Sequence, residues 1–148
     1  MILISHRGNL NGRNPEMENN PTYIDRALKA GYDVEIDVRY VAGKWYLGHD
    51  EPQHLVNWDY LLNPKLWCHA KNIEALKIML VLGIHCFWHQ NDDVTLTSKG
   101  YIWTFPGRRL TENSICVMPE MNGGIKPNEA AGICSDYIDL YKEWVLNV

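Results

Sequence analysis

Glu35 and Asp37 stand two residues apart in the run Tyr32-Asp33-Val34-Glu35-Ile36-Asp37-Val38, and Val34, Ile36 and Val38 alternate with them. A period of two is that of a β-strand and puts both carboxylates on one face. Gly31 closes an apparent helix just before the run. The context is therefore α/β, where strands are usually covered on both faces. At a wet edge the two acids would simply face water. On a covered strand they repel each other, lose hydration and need a cation, a shared proton or a bound donor. The covered alternative points to a divalent metal site built from oxygen ligands.

The rest of the chain alternates short apolar runs with turns and a few helices. Ile2 to Ser5 forms a first strand that ends in His6-Arg7-Gly8, and residues 9 to 20, rich in Asn, Gly and Pro, read as a loop. Pro21 suits the first turn of a helix after Asn20, with Ile24, Ala27 and Leu28 on its apolar stripe. Past the acidic strand, Gly43 marks a tight turn into Trp45-Tyr46-Leu47, which leads to Gly48-His49-Asp50. A short helical stretch near 57–62 precedes Leu66-Trp67-Cys68, which runs into His69-Ala70-Lys71. Asn72 caps a helix whose Ala75, Leu76, Met79 and Leu80 face inward. Strands at 84–88, 101–105, 114–118 and 132–135 bring the number to eight, and a last helix from about Asp136 buries Ile138, Leu140, Tyr141, Trp144 and Val145.

Polar residues gather where these strands end: His6 and Arg7, Glu35 and Asp37, His49 and Asp50, His69 and Lys71, His89, Glu120 and Asp136. Only His54 among the six histidines falls in a loop. Functional groups at the C-terminal ends of eight strands are the pattern of a (β/α)8 barrel. The chain has 148 residues, against roughly 250 for that fold. The expected architecture is thus one domain over 1–148, a compact (β/α)8 TIM-type barrel with several helices shortened or missing, above all between Phe105 and Ser114. An incomplete or distorted barrel is the alternative.

Composition excludes some classes of function. The net charge is −4 and no basic stripe is present, so no nucleic-acid partner is expected. No apolar run approaches the ~20 residues of a membrane span. Met1-Ile2-Leu3-Ile4 reads as a strand rather than a signal peptide, and a cytoplasmic location is expected. Cys68, Cys86, Cys116 and Cys134 lack CxxC spacing and sit in apolar runs, as buried reduced thiols do.

His6-Arg7-Gly8 after the first strand, Glu18-Asn19 ahead of an amphipathic helix, Glu35-Ile36-Asp37-Val38, Gly48-His49-Asp50 and the closing Gly132-Ile133-Cys134-Ser135-Asp136-Tyr137 occur in one order. In this the chain resembles the glycerophosphodiester phosphodiesterase family, within the phosphatidylinositol-phospholipase-C-like phosphodiesterase superfamily. The resemblance implies a metal-dependent phosphodiester hydrolase on a (β/α)8 barrel, acting on a glycerophosphodiester-like or a sugar- or lipid-linked phosphodiester. It implies His6 and His49 as general acid and base, Arg7 and Lys71 on the phosphate, and Glu35, Asp37 and His69 around a metal. Glu18, Asp50 and His89 are secondary candidates. The metal implied is Mg2+ or Ca2+, with Mn2+ or Zn2+ as alternatives.

Two departures bear on this reading. His69 stands where the family usually has a carboxylate, and calcium prefers oxygen ligands. The insertion that helps enclose the glycerol end in the family is missing after His49, which leaves room for a larger, polymer-linked substrate. A non-catalytic phosphoester-binding protein and a lyase that forms a cyclic phosphate are the alternative functions. A homodimer is compatible with the short chain, with no repeat or heptad to support it. Trp58, Tyr60, Tyr141 and Trp144 read as core or interface aromatics.

Overall fold

The computed structural model describes residues 1–147. Its first half contains β1 (Ile2–His6), α1 (Pro21–Lys29), β2 (Asp33–Val41), β3 (Lys44–Leu47), β4 (His54–Val56), β5 (Leu66–Ala70) and α2 (Ile73–Val81). The second half adds β6 (Cys86–Phe87), β7 (Val94–Leu96), β8 (Ile102–Thr104), β9 (Ser114–Val117), β10 (Gly132–Ser135) and α3 (Ile138–Leu146). Short 3₁₀ turns occupy Trp58–Leu62 and Pro119–Asn122.

All ten strands belong to one mixed sheet that curls into half a barrel. Parallel pairings carry the order β6-β5-β2-β1-β10-β9-β8. Antiparallel pairing appends β3 and β4 to the far end of β2, and β7 to β8. The expected (β/α)8 barrel is not formed: among the described residues ten strands share only three α-helices. The physical reason is the length of the connections. A parallel crossover takes a dozen or more residues when it contains a helix, and only residues 105–113 join β8 to β9. Trp45-Tyr46-Leu47, expected as a barrel strand, folds back instead as a hairpin through Ala42 and Gly43, both in the left-handed region (φ 50° and 76°). His54, expected in a loop, pairs with Leu47.

Strand parity then sorts the side chains into two layers. Val34, Ile36, Val38, Leu66, Cys68 and Ala70 point outward against Ile24 and Ala27 of α1 and Ala75 and Met79 of α2. Ile4, Trp67, Phe87, Trp103, Ile115 and Cys134 fill the concave side. Each fully buried aliphatic or aromatic side chain there contributes about 1.5–3 kcal/mol. Both helices start as their sequences require: Asn20 accepts a hydrogen bond from Thr22 N at 3.0 Å, and Asn72 from Ala75 N at 3.2 Å. Leu80 and Leu140, expected inward, are exposed, since a nine-residue helix lays a single narrow stripe on the sheet.

The other face of β2 is the one that matters for chemistry. Glu35 and Asp37 are both buried, 1 % and 0 % exposed, on the concave side. His69 lies opposite Asp37 in the register of β5, and His6 opposite Glu35 in that of β1. Parallel pairing brings the C-terminal ends of β1, β2, β5 and β10 to one rim.

Candidate active site

Three potential ligands meet at that rim. His69 Nδ1 lies 3.4 Å from Glu35 Oε1 and 3.7 Å from Asp37 Oδ1. One donor atom from each residue falls within 4.8 Å of the other two. His69 Nε2 is 2.9 Å from the carbonyl oxygen of His89 and 3.3 Å from its amide nitrogen. Nε2 can donate to the carbonyl in one tautomer and accept from the His89 N–H in the other. In the tautomer that donates to the carbonyl, Nδ1 is a lone pair turned toward the two carboxylates; in the other, Nδ1–H donates to them. In the first case three converging electron pairs require a proton or a cation between them. Glu35 Oε2 and Asp37 Oδ1, both buried, have no hydrogen-bond partner among the described residues. Such orphaned oxygens are costly unless something binds them. A histidine whose second nitrogen is pinned by a carbonyl is the usual arrangement of a metal ligand. The set fits a divalent cation.

A second network holds His6 beside these carboxylates. Its Nδ1 lies 2.7 Å from Asp136 Oδ1, which leaves Nε2 facing inward, 3.7 Å from Glu35 Oε2. Asp136 is itself fixed: Asn9 Nδ2 donates to the same oxygen at 2.8 Å. Its backbone N–H donates to Glu120 Oε1 at 3.0 Å, and Ser135 Oγ donates to Glu120 Oε2 at 2.9 Å. Burial raises the Asp136 carboxyl, but the His6 and Asn9 hydrogen bonds outweigh it and the net shift is downward.

Arg7 joins the two networks. Its Nε stands 2.8 Å from Asp37 Oδ2, although the N–H is not aimed at that oxygen, and its Nη1 lies 3.3 Å from Glu18 Oε2. Asn19 completes Asp37, donating from Nδ2 to Oδ2 at 2.8 Å and accepting from the Asp37 N–H at 2.9 Å. Burial alone would raise Asp37. Arg7, His69 and the Asn19 amide reverse the sign and hold it below the usual carboxylate range. Glu18, also lowered against its burial, takes hydrogen bonds from Asn9 and Arg13.

His49 comes from outside the parallel strands, on the loop after β3. Arg39 clamps that loop, donating from Nε to Gly48 O at 3.0 Å and from Nη2 to His49 O. Gly48 is required here: at φ 153° a Cβ would lie 2.0 Å from the carbonyl oxygen of Glu51. The His49 ring is half-buried, with Nδ1 2.7 Å from Asp50 Oδ1. That contact lowers the Asp50 carboxyl.

His6, Arg7 and His49 line two adjoining cavities. One of 350 Å³ also touches Glu35, His69, Lys71 and His89. The other, of 470 Å³, touches Arg13, Glu18, Asp50 and Asp136. Nine of the ten residues expected at the site line these cavities: His6, Arg7, Glu18, Glu35, His49, Asp50, His69, Lys71 and His89; Asp37 is buried against Arg7 and His69. Sequence reasoning gave no site role to Asn9, Asn19, Arg39, Glu120 or Asp136. Asp136 had a signal, a carboxylate at the end of a strand, but its partner stands 130 positions away. No family model matches the chain, and no curated protein or solved structure matches it either.

Proposed function

We propose that the protein is a metal-dependent phosphodiesterase, related to the glycerophosphodiester phosphodiesterases that its motifs resemble. The observation that supports this most is the shared 350 Å³ cavity, where His6, His49, His89, Arg7 and Lys71 surround the Glu35–His69 pair. Glu35, Asp37 and His69 would hold the cation. Two oxygens and one nitrogen suit Mn2+ or Zn2+ better than Ca2+ or Mg2+, both of which favour oxygen ligands, so that Mg2+ would meet His69 through a water. When bound, the ion neutralises charge on the phosphoryl oxygens.

The chain's own residues supply the rest. Arg7 and Lys71 provide cationic contacts to the anionic diester. His6, held by Asp136 through Nδ1, presents Nε2 as the base that takes a proton from the attacking hydroxyl or water. His49, at the solvent side, gives a proton to the leaving alkoxide. One P–O bond forms and one breaks. Where water attacks, His6 then loses its proton to solvent and His49 regains one. Where a substrate hydroxyl attacks, the two histidines exchange roles as water opens the cyclic ester. The substrate class is a small-molecule or polymer-linked phosphodiester. The open rim at the half-buried His49 favours a bulky leaving group. Four free, buried cysteines support a reducing, cytoplasmic setting. No helix among the described residues is long and apolar enough to cross a membrane.

Release of nitrophenolate from methyl p-nitrophenyl phosphate tests the proposal. Turnover should require Mg2+ or Mn2+, stop with a chelator, and vanish in His6→Ala. His49→Ala should abolish cleavage of an unactivated alkyl diester, whose alkoxide needs the proton, and largely spare the nitrophenyl ester, whose leaving group does not. Nitrophenolate release that survives His6→Ala, or alkyl-diester cleavage that survives His49→Ala, would sink it. Calorimetric binding of a phosphate ester with no turnover under any metal would favour a binding protein. Phosphorus NMR of the product from a substrate with a neighbouring hydroxyl separates hydrolysis from formation of a cyclic phosphate.

A further inference from the structure

The 350 Å³ cavity that holds Arg7, Glu35, His69 and Lys71 is also lined by Trp103, Phe105 and Pro106, at the end of β8 and just beyond it. Phosphate chemistry has no use for that surface. A ladder of rings reaches it from the candidate metal ligands. His69 stacks on Phe87, with centroids 4.8 Å apart and planes 22° from parallel. Phe87 in turn lies 4.5 Å from Trp103 at 32°. Phe105 stands two residues past Trp103, so strand parity turns both rings to one face.

Phe105 is the outermost of these rings and the most open, 39 % exposed. It meets the His89 ring at 78°, with centroids 5.8 Å apart. Its backbone N–H donates to the Asp93 carbonyl at 2.9 Å, which extends the β7–β8 pairing and fixes where the ring stands. The adjoining 470 Å³ cavity has no such rings: Arg13, Asn19, Asp50 and Gln53 line it and not its neighbour. His6, Arg7 and His49 line both.

A diester has two arms. The leaving arm belongs beside His49, its proton donor, and the polar cavity next to Asp50 can take it. The arm that stays on phosphorus then falls to the cavity lined by rings. We propose that this retained arm carries a planar aromatic ring that stacks on Phe105. The proposal rests on the phosphodiesterase reading for the phosphate end and names the substrate class within it. Flat rings gain from offset or edge-to-face pairing of their quadrupoles, which a saturated chain does not offer. The ring has two chemical sources, a nucleoside and a simple aryl ester. Gln90 lines the same cavity, and its amide matches the mixed donors and acceptors on the edge of a nucleobase.

Calorimetry on the whole protein in Mn2+ tests this with phenyl phosphate against cyclohexyl phosphate, which match in size and differ in flatness. Phenyl phosphate should bind about two- to twelvefold tighter, although the saturated ring is the more hydrophobic. Adenosine 5′-monophosphate against ribose 5-phosphate is the second pair, with an expected advantage on the order of fivefold or more if the source is a nucleoside. A ring preference in one pair alone supports the subsite and assigns the source. Phe105→Leu keeps an apolar side chain at this partly exposed position, so the variant should fold, and it should erase the preference; Phe105→Trp should keep it. No ring preference in either pair, or one undiminished in Phe105→Leu, would overturn the proposal. Failure of the catalytic reading is visible separately, as no nitrophenolate from the methyl diester while the ring preference persists.

Discussion

His6 Nδ1 lies 2.7 Å from Asp136 Oδ1, joining the first strand to the residue just after the last. β1 and β10 run parallel and in register, Ser5 beside Ser135, so the two side chains leave neighbouring strand ends together. The contact sets which nitrogen of His6 faces the Glu35 carboxylate. Asp136→Asn keeps the shape and an acceptor for Asn9 but no longer requires that tautomer. It should lower kcat on methyl p-nitrophenyl phosphate by about two to four orders of magnitude with little change in melting temperature. Unchanged kcat would remove Asp136 from the machinery.

Loading the Glu35–Asp37–His69 set should stabilise the fold by mass action. At a Mn2+ concentration of 100 times Kd the gain is about 2.7 kcal/mol. For a chain of this size that is a rise in Tm of roughly 5–10 °C. His69→Ala and Glu35→Gln should each abolish the rise, as read by calorimetry with and without metal. A rise that persists in both variants would place the ion elsewhere.

Arg39 is a positioning residue for His49 rather than a group that touches substrate. Its fork holds the carbonyls of Gly48 and His49. Arg39→Ala should cost about 1–3 kcal/mol of stability and lower kcat more than it raises KM. Arg39→Lys should rescue it only in small part, because a flexible ammonium lacks the planar fork that fixes both carbonyls at once. Hydrogen exchange at residues 48–50 should quicken in both variants. Unaltered exchange would mean the clamp is not needed.

His85 gives an acid-side stability dependence. Burial, helped by Lys99, pushes its pKa down to about 4, and its Nε2 lies 2.9 Å from Thr97 Oγ1. The unfolded chain titrates this group near 6.5. Between those values the unfolded state binds more protons, so stability is full above pH 6.5 and falls as pH drops toward 4. The slope is at most about 1.4 kcal/mol per pH unit. His85→Gln should flatten the urea midpoint between pH 4.5 and 6.5. Asp37 and Asp136, both lowered, lose their contributions at still lower pH and do not confuse the window. An unchanged slope in His85→Gln would assign the effect to another group.

Much of the site is legible in the residue order because its signals are local. The alternation around Glu35 and Asp37 fixes their common face. His6-Arg7 and His49-Asp50 are adjacent pairs, and His69 and Lys71 share strand parity. Caps at Asn20 and Asn72 act over two or three residues, so both helices were foreseeable. His85 shows the limit of such reading. It shares the strand placement of the other histidines, yet it packs against Trp67 with ring centroids 4.3 Å apart and pairs with Thr97, away from the rim.

By itself, then, the sequence determined that Glu35 and Asp37, the histidines at 6, 49, 69 and 89, and Arg7 and Lys71 would stand at or beside strand ends, because side-chain period and turn chemistry are set within a few residues. Only the tertiary structure decided that the sheet curls into a half-barrel, since a helix-covered barrel needs longer crossovers than the one between β8 and β9. It alone decided that Asp136 orients His6, that Asn19 satisfies Asp37, and that a backbone carbonyl turns the His69 ring. Those contacts join positions 18 to 130 residues apart, and no local pattern carries them.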